Sequence, residues 1–481
     1  MLFNSIGFFV FLFIVFFLYW GLEHRYRWIL LLVASYYFYM SWNVKYVALI
    51  LFTTGISYVC ALGMENKEDI KLKKLLLCTA MVSSLGILFF FKYFNFFMQN
   101  VSGIMSFFMI RLHPVTLQLL LPVGISFYTF QTLSYVIDVY RGKVRAERHF
   151  GIYATFISFF PQLVAGPIER TGNLLPQIKT VQEFDYNKAT YGLKLAAWGF
   201  FKKIVIADTL AVYVDQIYGH LHSYQGFSLI LACVFFTFQI YCDFSGYSDI
   251  AIGTAKLFGI DLMTNFKSPY FSSTLREFWG RWHISLSSWF RDYVYIPLGG
   301  NRCGSLRCDG NQLATFLLSG LWHGANWTYI IWGGIHGCAL IIEKKLGRNK
   351  GRGRSGGTWL LSVILIFLFC NFAWIFFRAD SLEDSFYIIA NSFKGISDMQ
   401  AYFAIGWNSI DATIGGLAFV QILGTLLILC MFDFASLKYD VIQTISKQNL
   451  WFRWSVYITF VLMIVLLAQK GGAVEFVYFQ F

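Results

Sequence analysis

The sequence predicts an all-α membrane protein that crosses the bilayer many times. Apolar residues make up 57% of its 481 positions and charged residues only 13%, whereas about a quarter of the residues in a soluble domain are charged. Apolar runs of about 18–20 residues recur along the chain, and a helix of that length can cross the hydrocarbon core. By this criterion we expect about eleven to twelve membrane segments, some of them tilted or re-entrant.

The predicted segments form three consecutive parts of a single domain that covers 1–481. N-terminal spans occupy 1–150, the catalytic core segments occupy 151–345, and C-terminal spans occupy 346–481. No repeat period or inverted hydropathy symmetry is visible, which weakens the case for a transporter. The apolar runs are 5–20, 28–40, 45–63, 75–98, 116–139, 190–217, 227–245, 312–345, 358–377, 412–434 and 453–469.

Two further segments differ from these continuous runs. Pro161, Gly166 and Pro167 interrupt the apolar stretch at 151–168. We therefore expect a broken or re-entrant helix there, with its backbone covered by protein or facing a cavity. Residues 253–310 are polar, aromatic and basic, which predicts short amphipathic or re-entrant helices followed by a loop.

The net charge of +12 comes from basic residues in short loops between the apolar runs. This pattern is typical of membrane topology and of contact with anionic lipid head groups, so we expect a lipid partner and no nucleic acid. The loops 24–27, 65–74 and 141–149 fall on one side, which is predicted to be cytosolic, with the N-terminus outside. The basic linker 343–354 is predicted to be another cytosolic loop. The first apolar run, 8–19, lacks a basic n-region and predicts a retained span.

Polar groups are concentrated in one stretch, 276–337. It holds three of the eight histidines, His283, His323 and His336, together with Arg281, Arg291, Asn326 and a group of tryptophans. Ionisable groups are costly inside a membrane and usually serve chemistry or a water-filled path. We therefore expect the functional centre in this stretch.

His323 is the first catalytic candidate. It lies inside an apolar run, in GLWHGANW, where a continuous helix would place Asn326 and Trp327 on its face at i+3 and i+4. A buried imidazole beside an amide can be held in one tautomer and kept neutral, as a general base requires. The alternative is a structural histidine that makes one hydrogen bond between helices. His336 would lie on roughly the opposite face of that helix, which favours a structural role.

Glycines surround His323 in pairs spaced four residues apart. The pairs are Gly320 with Gly324 and Gly333 with Gly337. Such pairs allow membrane helices to approach closely, so we expect tight helix packing around this histidine.

His283 is the second catalytic candidate. It lies in WGRWHISLSSW, where Trp279 and Ser287 would each be one helical turn away. The alternative is an interfacial histidine within a belt of tryptophans, since tryptophan favours that depth. The sequence leaves both interpretations open.

Residues near the two histidines are candidates for substrate binding. Arg281 and Arg291 suit a phosphate-bearing ligand such as a nucleotide cofactor, but arginines are also ordinary residues of the membrane interface. Trp282, beside Arg281, is a further candidate. Asp243 and Asp249 lie within or close to an apolar run, where a charge is costly unless it is paired. We expect them to pair with arginines of the central stretch or to line the same cavity.

Common catalytic and metal-binding motifs do not occur in the sequence. It has neither a G-x-S-x-G nucleophile elbow nor an H-E-x-x-H zinc motif, and carboxylates near the histidines are few, so we expect no metal. The G-x-G-x-x-G pattern within 351–357 follows no strand and is filled with arginines, which favours a flexible basic linker. Cys303 and Cys308 flank a loop and could pair, although nothing requires it.

Several motifs carry a resemblance to a known family. They occur in the order CDFSGYSDIAIG, NFxxPY, FWxRWHISLSxWxRDYxYIPLGGNR and GLWHGAxWxxxxWGxxHG, accompanied by PQLVAGPIER (161–170) and VYFQF (477–481). The chain resembles the membrane-bound O-acyltransferase family, in its bacterial branch of alginate O-acetylase membrane subunits. This resemblance implies a bowl of tilted helices with a central funnel, where a cytosolic donor meets an acceptor from the outer face. It also implies that His323 is the essential histidine and that His283 fills a more variable polar position.

The activity that the resemblance implies is O-acetyl transfer in a bacterial inner membrane. Acetyl-CoA would be the donor substrate, and no cofactor would be bound. The acetyl group would pass to an extracytoplasmic acetyltransferase partner, similar to SGNH hydrolases, and to the machinery of a secreted or cell-surface polysaccharide. One alternative is D-alanyl transfer from a carrier protein to teichoic acid, in a second branch of the family. Another is a transporter or channel in which the histidines relay protons.

Overall fold

The computed structural model of the protein describes residues 1, 3–65, 67–111, 113–164, 166–347, 356–468 and 476–477. Across these ranges the regular elements are all helices, which confirms the predicted all-α class. Three predicted features lie largely outside the described residues. They are the linker 343–354, the glycine pattern at 351–357 and the motif VYFQF, of which only Val477 is described.

The helices follow one another closely along the chain. In chain order they are α1 (Ile6–Gly21), α2 (His24–Met40), α3 (Val47–Met64), α4 (Ile70–Leu88), α5 (Phe94–Phe107), α6 (Ile125–Tyr140), α7 (Phe150–Ser158), α8 (Phe160–Leu163), α9 (Thr171–Lys179), α10 (Tyr186–Phe200), α11 (Asp208–Gly219), α12 (Phe227–Leu257), α13 (Leu275–Arg281), α14 (Ile284–Phe290), α15 (Ser305–His323), α16 (Trp327–Lys345), α17 (Gly357–Arg378), α18 (Leu382–Asn391), α19 (Met399–Thr413), α20 (Gly416–Ser436), α21 (Val441–Ser446) and α22 (Leu450–Leu467). Three π-helical segments continue α4, α10 and α14: Phe89–Tyr93, Phe201–Ala207 and Arg291–Tyr295.

Six helical stretches among the described residues are long and apolar enough to cross a membrane. They are Val44–Met64, Ile70–Phe107, Phe227–Leu257, Gly357–Arg378, Gly416–Ser436 and Leu450–Leu467. In Leu450–Leu467, no residue is buried inside the protein. An apolar surface of that kind is stable in hydrocarbon, so the chain is a multi-pass membrane protein, as predicted. The expected number of eleven to twelve segments includes shorter and tilted ones and stays a prediction.

One predicted span begins later than expected. The apolar run at 116–139 contains α6, but that helix starts only at Ile125. Gly124 precedes it in a left-handed conformation with a φ of 73°, which glycine adopts at no steric cost. The prediction failed there because the preceding residues are apolar without being helical.

A second predicted span is two helices. The run at 312–345 divides into α15 and α16, which end and begin at His323 and Trp327. The side chain of Asn326 accepts a hydrogen bond from the Thr328 N–H (3.1 Å) and so caps α16. The continuous helix assumed from the hydropathy pattern is therefore wrong.

The stretch at 151–168 is broken, as predicted. The single-turn helix α8 follows α7 directly, with Pro161 at its start. Buried amide side chains satisfy a backbone carbonyl that the break leaves free, since Gln131 Nε2 and Gln162 Nε2 both donate to the Phe156 oxygen (2.7 and 2.9 Å). Irregular backbone at membrane depth requires such internal partners.

The described contacts divide the chain into two compact units. The first comprises Met1–Leu193 and Ala251–Met263, and the second comprises Lys194–Ile250 and Thr264–Phe481. The single domain over 1–481 stays a prediction. Both candidate histidines belong to the second unit.

In the first unit, Glu169 is fully buried and joins two distant segments of the sequence. Its carboxylate accepts hydrogen bonds from Asn173 Nδ2 (2.7 Å) and from the Met263 N–H (2.5 Å). Burial raises the pKa of the Glu169 carboxyl to about 7. Lys188 forms an ion pair with Asp261 (2.6 Å) in the same unit.

In the second unit, the core combines many aromatic side chains with aliphatic ones. Trp282, Trp332 and Trp374 are almost completely buried there. The short helices α13 and α14 lie in the segment 253–310, as the sequence predicts for that segment. The aromatic core contacts His323 through the ring of Trp332.

Candidate active site

His283 lies at the break between α13 and α14. It adopts a left-handed backbone conformation with a φ of 42°. This conformation is costly for a residue other than glycine, and it persists where the surrounding structure fixes it. Backbone hydrogen bonds hold both sides of the break: the Lys267 N–H donates to the Arg281 carbonyl (3.0 Å), and the Ile284 N–H donates to the Asn265 carbonyl (2.9 Å).

The amide of Asn265 orients the imidazole of His283. Asn265 Oδ1 lies 3.3 Å from His283 Nδ1 and also accepts a hydrogen bond from Ser285 Oγ (2.7 Å). Because an amide oxygen only accepts, we assign the proton to Nδ1 and the lone pair to Nε2. Burial lowers the pKa of His283 to about 3, so its ring is neutral at pH 7. The helix break also means that Trp279 and Ser287 do not flank it on one continuous helix.

Asn265 was not among the residues predicted for the site. It is the first residue of the NFxxPY motif, which contributes to the family resemblance but gives no reason to expect a contact with a histidine 18 positions later. Its Nδ2 also donates to Ser248 Oγ (3.2 Å). The NFxxPY motif is visible in the sequence, but only the fold shows that its asparagine contacts His283.

Trp322 connects the two candidate histidines. Its ring centroid lies 6.1 Å from that of His283 and 4.9 Å from that of His323. His323 is the last residue of α15 and is only 3% exposed. The structure therefore brings the two histidines against one indole, although they are 40 positions apart in the sequence.

Aromatic rings surround His323 on further sides. Its ring centroid lies 5.1 Å from that of Trp332 and 5.2 Å from that of Phe377. His336 lies against the same indole, 5.0 Å from Trp332. The expectation that His336 points away on a continuous helix is wrong, because the chain turns between α15 and α16.

The same turn corrects the predicted positions of Asn326 and Trp327. Neither follows His323 on one helical face, because α15 ends at His323. Asn326 caps α16, and its Nδ2 donates to the Asp380 carbonyl (2.8 Å). Trp327 is half-exposed. The predicted placement of these two residues on the helical face of His323 is therefore wrong.

The glycine pairs have the effect that the sequence predicts. A Cβ atom on Gly320 would clash with the Tyr329 carbonyl oxygen, and one on Gly333 would clash with the Phe316 carbonyl oxygen. Glycine at these positions lets the backbones of α15 and α16 pack directly against each other. This packing holds Trp332 beside His323.

A cavity of about 890 Å³ lies in the second unit. Small-molecule sites typically measure about 300–1,000 Å³. Residues from α13, α14, α15 and α16 line it, including Arg276, Trp279, Arg291, Gln312, Thr315, Phe316, Ser319 and Lys344. Ser319 precedes His323 by four residues on the same face of α15. The lined face of α15 therefore leads towards His323.

The cationic candidates differ in their relation to this cavity. Arg291 lines it and bonds to Asp292 (2.8 Å), whereas Arg281 bonds to Glu277 (2.6 Å) and is not among the lining residues. Trp282 is buried in the aromatic core. The sequence reasoning missed Arg276 and Lys344 as lining residues, because only the fold brings α13 and α16 together.

The cysteine pair lies at the same cavity. The sulfur atoms of Cys303 and Cys308 are 2.9 Å apart, and both side chains are free thiols. Cys308 Sγ also donates to the Cys303 carbonyl (3.0 Å). The two cysteines are thus neighbours without a covalent bond.

Asp243 and Asp249 pair with lysines. Lys203 Nζ lies 2.6 Å from Asp243, and Lys202 Nζ lies 2.6 Å from Asp249. Both lysines belong to the π-helical segment Phe201–Ala207, and such segments are frequent at functional sites. The predicted pairing with arginines of the central stretch is wrong, because hydropathy does not reveal that this segment places two buried lysines against α12.

Asp243 also connects to the surroundings of His283. Its second oxygen accepts a hydrogen bond from the Val477 N–H (2.7 Å). The next residue, Phe244, places its ring 4.5 Å from the ring of His283. Asp243 therefore joins the backbone at Val477 to the part of α12 that packs against His283.

Comparisons with known proteins show the family of the chain. Residues 145–350, which contain both candidate histidines, match the model of the membrane-bound O-acyltransferase family. The chain is 43% identical over 392 residues to the Probable alginate O-acetylase AlgI of Pseudomonas putida, covering 80% of this chain and 78% of that relative. It is 37% identical over 385 residues to the Peptidoglycan O-acetyltransferase of Helicobacter pylori, covering 75% and 72%.

A more distant similarity connects the chain to a second activity. The Teichoic acid D-alanyltransferase of Streptococcus thermophilus is 30% identical over 282 residues, which cover 54% of this chain and 68% of that relative. These relatives all transfer acyl groups, as their names state. The protein is an O-acyltransferase and belongs to the membrane-bound O-acyltransferase family.

Proposed function

We propose that the protein moves an acetyl group from cytosolic acetyl-CoA towards a secreted or cell-surface polysaccharide of the alginate type. The observation that supports this donor is the cavity of about 890 Å³, whose lining combines Arg276, Arg291 and Lys344 with the face of α15 that leads to His323. Coenzyme A carries phosphates at one end and the thioester at the other. Guanidinium and ammonium groups suit the phosphates, while the α15 face would guide the thioester.

His323 would act as the general base in this reaction. It would take the proton of the acceptor hydroxyl while the hydroxyl oxygen attacks the thioester carbonyl carbon. The C–S bond would then break, and the departing thiolate would take the proton from the imidazolium. A route through an acyl-histidine intermediate uses the same residue as nucleophile.

His283 would serve the acceptor side of the site. Its neutral ring, held by Asn265, presents Nε2 as a hydrogen-bond acceptor. That atom suits the O–H group of an incoming hydroxyl, whereas the alternative role, stabilising a developing oxyanion, would need the ring proton on Nε2. We propose that Trp282 and Asp243 hold the surroundings of His283 in place.

The proposed setting is a bacterial inner membrane with the N-terminus outside. Alginate and peptidoglycan in the names of two relatives support a polysaccharide as the final acceptor. We propose that an extracytoplasmic acetyltransferase partner, similar to SGNH hydrolases, receives the acetyl group and completes the transfer. Because the chain belongs to an enzyme family, we do not propose the transporter or channel alternative.

D-alanyl transfer from a carrier protein is the second candidate, favoured by the similarity to the streptococcal D-alanyltransferase. The two candidates differ in their donor. Purified protein in nanodiscs would be given radiolabelled acetyl-CoA or a carrier protein charged with labelled D-alanine, with a polysaccharide acceptor or partner present. We expect loss of the acetyl thioester only. Consumption of the D-alanyl thioester instead would overturn the acetyl-CoA assignment.

A further inference from the structure

Three side chains near His323 carry buried nitrogen atoms with unused hydrogen-bonding capacity. Trp332 and His336 are 0% exposed. The indole N–H groups of Trp279 and Trp332 and both ring nitrogens of His336 have no hydrogen-bond partner within the described part of the chain. Buried polar groups are nearly always paired, and exceptions require an explanation such as a catalytic role.

These groups lie between the cavity and His323. Trp279 lines the cavity, and its ring is 5.1 Å from His336 and 5.8 Å from Trp332. Trp332 in turn lies 5.1 Å from His323. A ligand that reaches from the cavity to His323 would therefore pass this cluster.

The chemistry of the cluster indicates the group that it would bind. An indole N–H only donates, and a neutral imidazole offers one donor and one acceptor. Aromatic rings surround the cluster, so a charged ligand would lose its hydration without gaining a counter-ion. A neutral group with an oxygen acceptor fits these donors, and the carbonyl oxygen of a thioester is such a group.

We infer that the indole N–H of Trp332 donates a hydrogen bond to the carbonyl oxygen of the acyl donor, with His336 as a second hydrogen-bonding group at that oxygen. This inference rests on the proposed function. When the acceptor oxygen bonds to the carbonyl carbon, the C=O π electrons move onto the oxygen, and Trp332 stabilises the resulting charge. The proton goes to His323, and collapse of the intermediate breaks the C–S bond. His283 is then left to hold the acceptor hydroxyl.

The packing explains how Trp332 is fixed for this task. Its indole stacks on that of Trp374 at 5.5 Å and meets Phe377 edge-on at 5.2 Å. Because α15 and α16 pack closely, Trp332 on α16 lies beside His323 at the end of α15. A donor held in this way needs no reorganisation when charge develops, which is the condition for strong oxyanion stabilisation.

The test uses Trp332→Phe, which keeps an aromatic ring and removes the N–H. The full-length protein in nanodiscs would be assayed for acetyl-CoA turnover and for binding of S-ethyl-CoA, a thioether that lacks the carbonyl. We expect kcat to fall on the order of 10²-fold, as for loss of one oxyanion donor, with S-ethyl-CoA affinity unchanged within about twofold. Trp198→Phe is the control, because it removes the N–H of a buried tryptophan that packs on Phe432 and Phe460, and it should leave kcat near that of the wild type.

His336 provides a second and independent variant if Trp332→Phe does not fold. His336→Gln retains hydrogen-bonding atoms and should keep most of the kcat that His336→Leu loses, whereas a purely structural role would give no such rescue. Wild-type kcat in Trp332→Phe, or equal losses in His336→Gln and His336→Leu, would overturn the inference. Failure of the wild-type protein to consume acetyl-CoA would instead overturn the proposed function, so the two failures are distinguishable.

Discussion

Lys203 and Asp243 form an ion pair of 2.6 Å in which the side chains are only 2% and 1% exposed. Lys203 also contacts Asp208 at 2.8 Å. The charges of the lysine and the two carboxylates are thus removed from both water and lipid. Such a group is stable only while it is complete, because a lone charge in this position would be very costly.

Asp243→Asn should therefore destabilise the protein strongly. Removing one partner of a buried ion pair typically costs about 3–5 kcal/mol, so the thermal-unfolding midpoint in detergent should fall clearly. Glu23→Gln is the control, since it breaks an ion pair with Arg25 in which both side chains are more than two-thirds exposed and which should contribute little. Equal midpoints for Asp243→Asn and the wild type would contradict this account.

Substitution of Gly320 should disturb the packing of α15 against α16. In Gly320→Ala the new methyl group would clash with the Tyr329 carbonyl oxygen, and overpacking of this kind costs about 1–3 kcal/mol. Gly310→Ala lies on the same helix with nothing within 4 Å of its Cβ and should be neutral or slightly stabilising. Unfolding midpoints and turnover rates would be measured for both variants, and a neutral Gly320→Ala would show that the helices are not held this closely.

Charge removal at the cavity should weaken donor binding. Arg291→Gln takes away a guanidinium that lines the cavity, and we expect KM for acetyl-CoA to rise about tenfold, which corresponds to about 1.4 kcal/mol. The effect should shrink at high salt, because exposed charges are screened. Arg307→Gln removes an exposed arginine outside the lining and should leave KM unchanged. An unchanged KM in Arg291→Gln would remove the basis for placing the donor phosphates at this cavity.

The stability of the protein should fall as pH rises from about 4.5 to about 7. Burial raises the folded-state pKa of Glu169 from 4.5 to about 7, so the folded state keeps its proton at pH values where the unfolded state has lost it. The stabilisation from this group is therefore full below about pH 4.5 and is lost as pH rises to about 7. Glu169→Gln should flatten the dependence of the unfolding midpoint over this range. The same slope in wild type and variant would assign it to other groups.

The sequence predicts the all-α class, the multi-pass character and the family, because these depend on run length and on long motifs. The break within 151–168 is also predictable, since its prolines are visible. The ends of helices are less predictable than these features. The turn after His323 depends on the cap at Asn326, and the hydropathy of a continuous apolar run gives no sign of that turn.

Contacts between distant segments account for the remaining differences. Nothing in the sequence connects Asn265 with His283, Lys203 with Asp243, or Arg276 with Lys344, because each pair depends on how helices pack. His336 shows the same limit, since its position relative to His323 reverses once the helix between them is divided. The catalytic roles of His283 and His323 stay predictions until they are measured.

We expect acetyl transfer to depend on His323. The most direct measurement is the rate of acetyl-CoA consumption by His323→Ala in nanodiscs, beside the wild type and His220→Ala, which alters an exposed histidine. We predict that His323→Ala loses at least about 10²-fold in rate, as expected for a general base, while it elutes as a folded protein and His220→Ala keeps full activity. Wild-type turnover by folded His323→Ala would contradict the account.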